Sequence, residues 1–178
     1  ISNNEIYPFE DDYIEWGLYV EHCEDCEINN NTVLGFYDYG IRTRYAHRTT
    51  VMNNTIADTN KQGNYKNEGH NRGIYYHSTS TEIAHQCTIR NNNVYILGSE
   101  NMYGLSGEGA LVDSNTITVV GNTTYARGIY SNYSRILDNT IYSISDGEGR
   151  GIESWANSEK PSTIKRNTVY ALNNSRAF

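Results

Sequence analysis

Aliphatic and polar positions recur along this chain in one short pattern. An aliphatic residue is followed by two variable residues, an asparagine, one more variable residue and a second aliphatic residue. The pattern occurs seven times, at Ile1-Asn4-Ile6, Ile28-Asn31-Val33, Val51-Asn54-Ile56, Ile89-Asn92-Val94, Val112-Asn115-Ile117, Ile136-Asn139-Ile141 and Ile164-Asn167-Val169. Successive asparagines are 27, 23, 38, 23, 24 and 28 residues apart. Because three of these spacings are 23 or 24 residues, the pattern indicates a structural repeat of about that length, with insertions in the other copies.

The spacing of the apolar positions within each copy predicts two short strands that meet at a corner. Both aliphatic side chains are expected to point inward, and the asparagine between them is expected to turn the chain, because Asn tolerates the left-handed backbone conformation. Stacked coils are separated like neighbouring strands, by about 4.8 Å. Equivalent asparagines are therefore expected to hydrogen-bond to one another as a ladder through the stack.

A glycine followed by Ile or Leu precedes most copies and predicts a further strand in each coil. The aliphatic residues of this element form one expected interior column: Leu18, Ile41, Ile74, Leu105, Ile129 and Ile152. A second expected interior column contains only small residues: Cys26, Thr49, Cys87, Ala110, Ser134 and Ser162. Since parallel crossovers are almost always right-handed, the chain is predicted to be an all-β, right-handed, single-stranded parallel β-helix of about seven coils with an Asn ladder.

These Gly-Ile and Ile-x-x-Asn-Thr-Ile signatures resemble the repeats of the pectin-lyase-like superfamily over essentially the whole chain. The resemblance implies a parallel β-helix that binds or cleaves polysaccharides along the strand after each glycine. Residues 1–178 are expected to form a single β-helix domain, as a fragment of a longer chain without its end caps, because Ile1 and Phe178 lie in or near strand motifs. Uncapped coils are expected to continue into flanking sequence or to self-associate, end to end or laterally.

Net charge and hydrophobicity exclude two classes of partner for this protein, nucleic acids and the membrane interior. The formal net charge of −7 argues against a nucleic-acid partner, which requires a clustered basic surface. No stretch has the length and hydrophobicity of a membrane span. The resemblance to the pectin-lyase-like superfamily implies a secreted or cell-surface protein that contacts a polysaccharide or a cell-surface glycan.

The three cysteines are too few for a disulfide scaffold. The Cys23-x-x-Cys26 spacing would suit redox chemistry or a metal, but zinc needs a second ligand pair, and the sequence has none. Cys26 and Cys87 are interpreted instead as small interior residues two coils apart, too distant for a disulfide.

Outward columns along the first strand of each coil hold the candidate chemistry. They are rich in Arg, Tyr, Trp, His and Glu, which suits a sugar chain because rings stack on aromatic side chains and charged groups bind hydroxyls and carboxylates. The candidate substrate-binding residues are Tyr39, Arg72, Tyr103, Glu108, Arg127, Tyr130, Asn132 and Trp155. Those directly before a glycine are expected at the turn bordering the strand, and the loop from Ala57 to Arg72 is expected to wall the groove.

The candidate catalytic residues are Arg42, Arg44, Tyr75 and His77. β-Elimination of a uronic-acid polymer needs a cation at the carboxylate, a base for the C5 proton and an acid for the leaving oxygen. Arg42 or Arg44, His77, and Tyr75 (or Tyr130) match these roles. Hydrolysis would need converging carboxylates, so lyase-like action on an acidic glycan is the predicted function.

Two alternatives stay open at this stage. The chain is alternatively a non-catalytic surface module, such as an adhesin, fibre or tailspike segment, in which Arg42 and Arg44 pair with Glu21 or Glu108. No cofactor is expected, although calcium is an alternative at Asp146 and Glu148 or at Asp38, where acidic residues flank the groove.

Overall fold

The computed structural model describes residues 1–8, 14–58, 71–77, 87–98, 101–121 and 125–176, which form short strands wound into a solenoid. The first strands of the coils are β2 (Ile14–Glu21), β5 (Phe36–Arg44), β8 (Asn71–His77), β11 (Met102–Glu108), β14 (Tyr125–Asn132) and the end of β16 (Thr140–Glu153). The second strands are β3 (Glu27–Asn29), β6 (Thr50–Met52), β9 (Cys87–Arg90), β12 (Ala110–Asp113), β15 (Arg135–Leu137) and β17 (Thr163–Lys165). The third strands are β1 (Glu5–Ile6), β4 (Thr32–Leu34), β7 (Thr55–Asp58), β10 (Asn93–Gly98), β13 (Thr116–Gly121), the start of β16 and β18 (Thr168–Arg176).

Every recorded strand pairing is parallel and joins equivalent residues of neighbouring coils. Along the first strands, for example, Ile41 is opposite Ile74, and Ile74 is opposite Leu105. A strand thus pairs with the strand one full coil away, as in other solenoids. The chain makes about six turns, which confirms the predicted parallel β-helix and roughly matches the expected number of coils.

The interior of the solenoid is formed by the three predicted aliphatic columns, one from each strand of the coil. Ile41, Ile74, Leu105 and Ile129 are completely buried in the first-strand column. The glycine column permits this close packing: a Cβ atom at Gly104 would lie 2.2 Å from Ile117 Cγ2 and 2.7 Å from the carbonyl oxygen of Gly128. No side chain fits there without moving the core.

The Asn ladder is present and runs through the buried corner between the second and third strands. In each rung the backbone N–H and the side-chain amide donate to Oδ1 of the next asparagine, at 2.9–3.1 Å. The amides also donate to main-chain carbonyls, so the ladder satisfies polar backbone groups that the corner would otherwise bury unpaired.

The ladder asparagine does not itself adopt the left-handed conformation, so this part of the sequence prediction is wrong. The residue before it does, with φ between 53° and 57° in every copy: Asn3, Asn30, Asn53, Asn91, Ser114, Asp138 and Arg166. The preceding residue makes the turn, which leaves the ladder asparagine directed inward, where its amide is bonded to both neighbouring coils.

The small-residue column is buried through its centre, where Thr49, Cys87 and Ala110 lie. Cys87 carries a free thiol, as expected of a small interior residue. Cys26 is only half-buried and is joined by a disulfide to Cys23, with Cα atoms 6.0 Å apart. The interpretation of Cys26 as a simple interior residue is therefore corrected.

Candidate functional site

Two columns of outward side chains cover the first strands, and together they are called the Arg–aromatic face. The column before the glycines consists of Trp16, Tyr39, Arg72, Tyr103, Arg127 and Arg150, and the column after them of Tyr19, Arg42, Tyr75, Ser106, Tyr130 and Glu153. The residues before the glycines lie within the strands, not at a bordering turn as the sequence suggested. Arginines therefore lie beside aromatic rings over much of this face.

Arg42 lies among four aromatic rings. Its Cζ atom is 4.6 Å from the ring centre of Tyr39, and 5.1, 5.3 and 5.9 Å from those of Trp16, Tyr19 and Tyr75. These distances are within the range of cation–π attraction. Contact with four rings restricts the positions that the guanidinium group can take.

Arg72, on the next coil, has a similar environment. Its Cζ atom lies 4.7, 5.2 and 5.5 Å from the ring centres of Tyr75, Tyr103 and Tyr39. The Nε atoms of Arg42 and Arg72 are both buried and have no hydrogen-bond partner within the described part of the chain. Neither guanidinium has a carboxylate within 4.0 Å among the described residues.

The other arginines of this region are neutralised by carboxylates. Arg44 lies 3.5 Å from Glu21 and donates to the hydroxyl of Tyr45 at 2.7 Å. Arg127 and Arg150 both pair with Glu153. The two arginines of this region without a carboxylate within 4.0 Å, among the residues that the structure describes, are thus adjacent, on β5 and β8.

Asp38 approaches the same cations, although the sequence suggested it only as a calcium ligand. Trp16 Nε1 donates to its carboxylate at 3.2 Å. Burial raises the pKa of Asp38, and the hydrogen bond from Trp16 and the charges of Arg72 and Arg42 oppose that increase. The pairing of β2 with β5 shifts register beside this residue, so regular strand alternation does not predict where its side chain lies.

A cavity of about 250 Å³ opens on the face beside Arg72. It brings together seven of the candidate residues: Arg72, Tyr75, His77, Tyr103, Glu108, Tyr130 and Asn132. Pockets for drug-sized ligands usually measure about 300–1,000 Å³. This cavity is therefore suited to one unit of a longer ligand that lies along the open face.

His77 does not present a free nitrogen to this cavity. Its Nε2 atom is 3.6 Å from Glu108 Oε1, while its Nδ1 atom is buried and has no hydrogen-bond partner among the residues described. The ring lies 6.3 Å from that of Tyr75, in a stacked orientation, and 6.1 Å from that of Tyr45. A base at this position would have to act through Nε2, after Glu108 moves away from it.

The remaining candidate residues lie outside the cavity. Trp155 is exposed near the last coil, and its backbone N–H donates to Asn132 Oδ1 at 3.1 Å. Tyr39 borders Arg42 and Arg72, and the pKa of its hydroxyl is raised because burial disfavours the phenolate. Most of the loop expected to wall the groove, residues 59–70, is outside the described residues.

The acidic residues suggested for calcium have other partners. Asp146 accepts a hydrogen bond from Asn173 at 3.2 Å, and Glu148 pairs with Arg150. Within the described ranges, no group of three or more His, Cys, Asp or Glu side chains could hold a metal ion. The same ranges contain no helix long and apolar enough to cross a membrane.

The fold defines the class of protein, a parallel β-helix whose outward side chains carry the candidate chemistry. A family model described as the right-handed beta helix region matches residues 16–177, and the chain belongs to this family. Comparisons with curated proteins and with solved structures found no match.

Proposed function

We propose that this protein binds an acidic polysaccharide along the Arg–aromatic face, as a secreted or cell-surface β-helix. The observation that carries the proposal is the pair Arg42 and Arg72, which lie between aromatic rings without a carboxylate within ion-pair distance in the described residues. Their guanidinium groups are held in place, so a ligand carboxylate gains charge-assisted hydrogen bonds with little loss of side-chain entropy.

The aromatic residues account for the sugar part of the ligand. Tyr39, Tyr75 and Tyr103 are spread over three successive coils beside these cations. Apolar faces of sugar rings stack on such side chains, and the open geometry accommodates a chain rather than a compact molecule. The disulfide between Cys23 and Cys26 fits a secreted location, because disulfides persist in oxidising compartments.

Cleavage by β-elimination is the catalytic form of the same proposal. The cavity supports it, since Arg72, Tyr75 and His77 lie within the space of about one sugar unit. Arg72 would neutralise the uronate carboxylate, His77 would take the C5 proton, and Tyr75 would protonate the leaving oxygen. The ion pairs of Arg44, Arg127 and Arg150 favour the second candidate function instead, a non-catalytic surface module, because they neutralise three of the five arginines of this region.

Binding is tested with polyuronate oligosaccharides by calorimetry, with neutral oligosaccharides of equal length as the comparison. Arg42→Gln is expected to weaken uronate binding by about tenfold or more, as for the loss of one charge-assisted hydrogen-bonding pair. Arg48→Gln is the matched control, since it removes the same charge from an arginine that pairs with Glu24 and Asp25 away from the face. Its affinity should change less than twofold.

An equal affinity for neutral and acidic chains, or an Arg42→Gln variant that binds like the wild type, would refute the proposal. Near-ultraviolet absorbance of unsaturated uronates in the same samples separates cleavage from binding. If product forms, Tyr75→Phe and His77→Gln should slow its formation while leaving the dissociation constant within about threefold. Binding without product over long incubation assigns the face to the non-catalytic module.

A further inference from the structure

Ser106 is the smallest residue in a three-by-three block of outward side chains on β8, β11 and β14. The three columns of this block are Arg72, Tyr103 and Arg127; Tyr75, Ser106 and Tyr130; and His77, Glu108 and Asn132. Ser106 has the central position, and all of the block except Arg127 lines the cavity of about 250 Å³. The cavity thus lies where a serine takes the place that tyrosines take on the two neighbouring strands.

The larger side chains of the block surround Ser106 in both directions of the sheet. Along the solenoid axis the walls are Tyr75 and Tyr130, on strands two spacings apart, or roughly 9.6 Å. Across the strands, Arg72 lies on one side and Glu108 on the other. An internal unit of a sugar chain is linked at both ends, so a chain whose internal unit reached Ser106 would have to pass through two walls. A terminal unit is linked at one end only and can enter from above.

Residues that line the cavity carry buried polar atoms without a partner. Ser106 is only 3% exposed, and its Oγ atom has no hydrogen-bond partner in the described part of the chain. The same is true of His77 Nδ1 and Arg72 Nε. Unpaired buried polar groups cost free energy, so a ligand that brings oxygen atoms among them supplies partners that the described residues lack. Because Arg72 has no carboxylate within 4.0 Å among those residues, an anionic ligand group is favoured.

We infer that the cavity binds a terminal uronate unit, either a chain end or a single-unit side branch, and that the small size of Ser106 determines this specificity. The acidic character of the ligand rests on the proposed function. The inference adds that the unit in the cavity is not an internal unit of the chain. The rest of the ligand lies over the Arg–aromatic face, where Arg42 on β5 is outside the block.

Ser106→Tyr fills the cavity by completing a column of tyrosines. The fold accommodates such a column, because Tyr142 and Tyr170 on neighbouring strands pack with parallel rings 4.7 Å apart. Thr118→Tyr is the matched control, since Thr118 lies in the same way between Tyr95 and Tyr142 on the third strands, away from the cavity. Ser106→Ala removes the hydroxyl and keeps the cavity open. Circular dichroism checks that the variants fold, and Ser106→Leu is a smaller filling variant if Ser106→Tyr does not.

The methyl glycoside of a uronic acid is the probe, because it consists of a terminal unit alone. Calorimetry should show that the wild type and Thr118→Tyr bind this probe with affinities that agree within about twofold. Ser106→Tyr should bind it at least about tenfold more weakly, because the side chain occupies the space of the ligand. Ser106→Ala should bind it about fivefold more weakly, as for the loss of one hydrogen bond. The methyl glycoside of the matching neutral sugar should bind the wild type at least about tenfold more weakly than the uronate does.

Longer ligands separate chain ends from side branches. The part of the affinity that Ser106→Tyr removes should follow the number of chain ends in linear polyuronates and the number of single-unit branches in branched ones. If that part follows the total number of units, or if Ser106→Tyr binds the methyl uronoside like the wild type, the inference is overturned even where Arg42→Gln weakens polyuronate binding and the proposed function stands. Equal, Ser106-dependent binding of the neutral and acidic glycosides would instead overturn the acidic ligand, and the proposed function with it.

Discussion

Removing one central rung of the ladder should destabilise the protein far more than removing the first rung, Asn4. Asn115 is 1% exposed, and its amide donates to Asn139 Oδ1 and Ile89 O at 2.9 Å and to Asp113 O at 3.1 Å. Its Oδ1 accepts two hydrogen bonds from Asn92 at 3.0 Å. Five hydrogen bonds at about 1 kcal/mol each set an upper value near 5 kcal/mol for Asn115→Ala.

Some of these partners keep other bonds after the substitution, so a loss of about 3–5 kcal/mol in the free energy of unfolding is expected. The matched control is Asn4→Ala, at the exposed first rung, where the side chain donates to Asn31 Oδ1 and Ser2 O. Water replaces those bonds, so this variant should lose only about 0.5–1 kcal/mol. Urea unfolding followed by circular dichroism measures both, with the slope m as the check on unfolding behaviour. Equal losses in the two variants would refute the assignment of stability to the buried ladder.

Three further predictions concern single positions of the coil. Ser114→Asn should raise the free energy of unfolding by about 0.5–1 kcal/mol in the same urea assay. The reason is that Ser114 has a φ of 56°, and Asn adopts this left-handed conformation more readily than Ser. A destabilised variant would contradict this prediction. Burial raises the folded-state pKa of Tyr76 well above its usual value. Above about pH 10 the unfolded chain therefore loses the Tyr76 proton before the folded chain does, and the free energy of unfolding falls by up to about 1.4 kcal/mol per pH unit. Tyr76→Phe should show a shallower decline of stability at alkaline pH, and an unchanged slope would exclude this cause. Replacing Cys23 and Cys26 together by Ser should cost about 2 kcal/mol by releasing a short loop in the unfolded chain, and a reductant should then change wild-type stability but not that of the double variant.

The coil, its register and its core follow from the sequence because one physical requirement fixes all three. Aliphatic residues that recur with the same spacing must stack to be buried, and a shift of one residue would turn the whole set to solvent. Asn115 and its equivalents could be assigned to a ladder for the same reason. The left-handed residue was misplaced because the position before the ladder is less uniform than the ladder itself: it is Asn in four copies but Ser114, Asp138 and Arg166 in the others.

The candidate site was less predictable, because it depends on which side chains meet and not on which face they occupy. Alternation places Arg42 and Arg44 on the same outward face, but only the structure shows Arg44 paired with Glu21 and Arg42 among aromatic rings. The position of Asp38 depends on a local register shift that no repeat pattern contains. The pairing of Cys23 with Cys26 occurs in the turn after β2, where the coil periodicity gives no information.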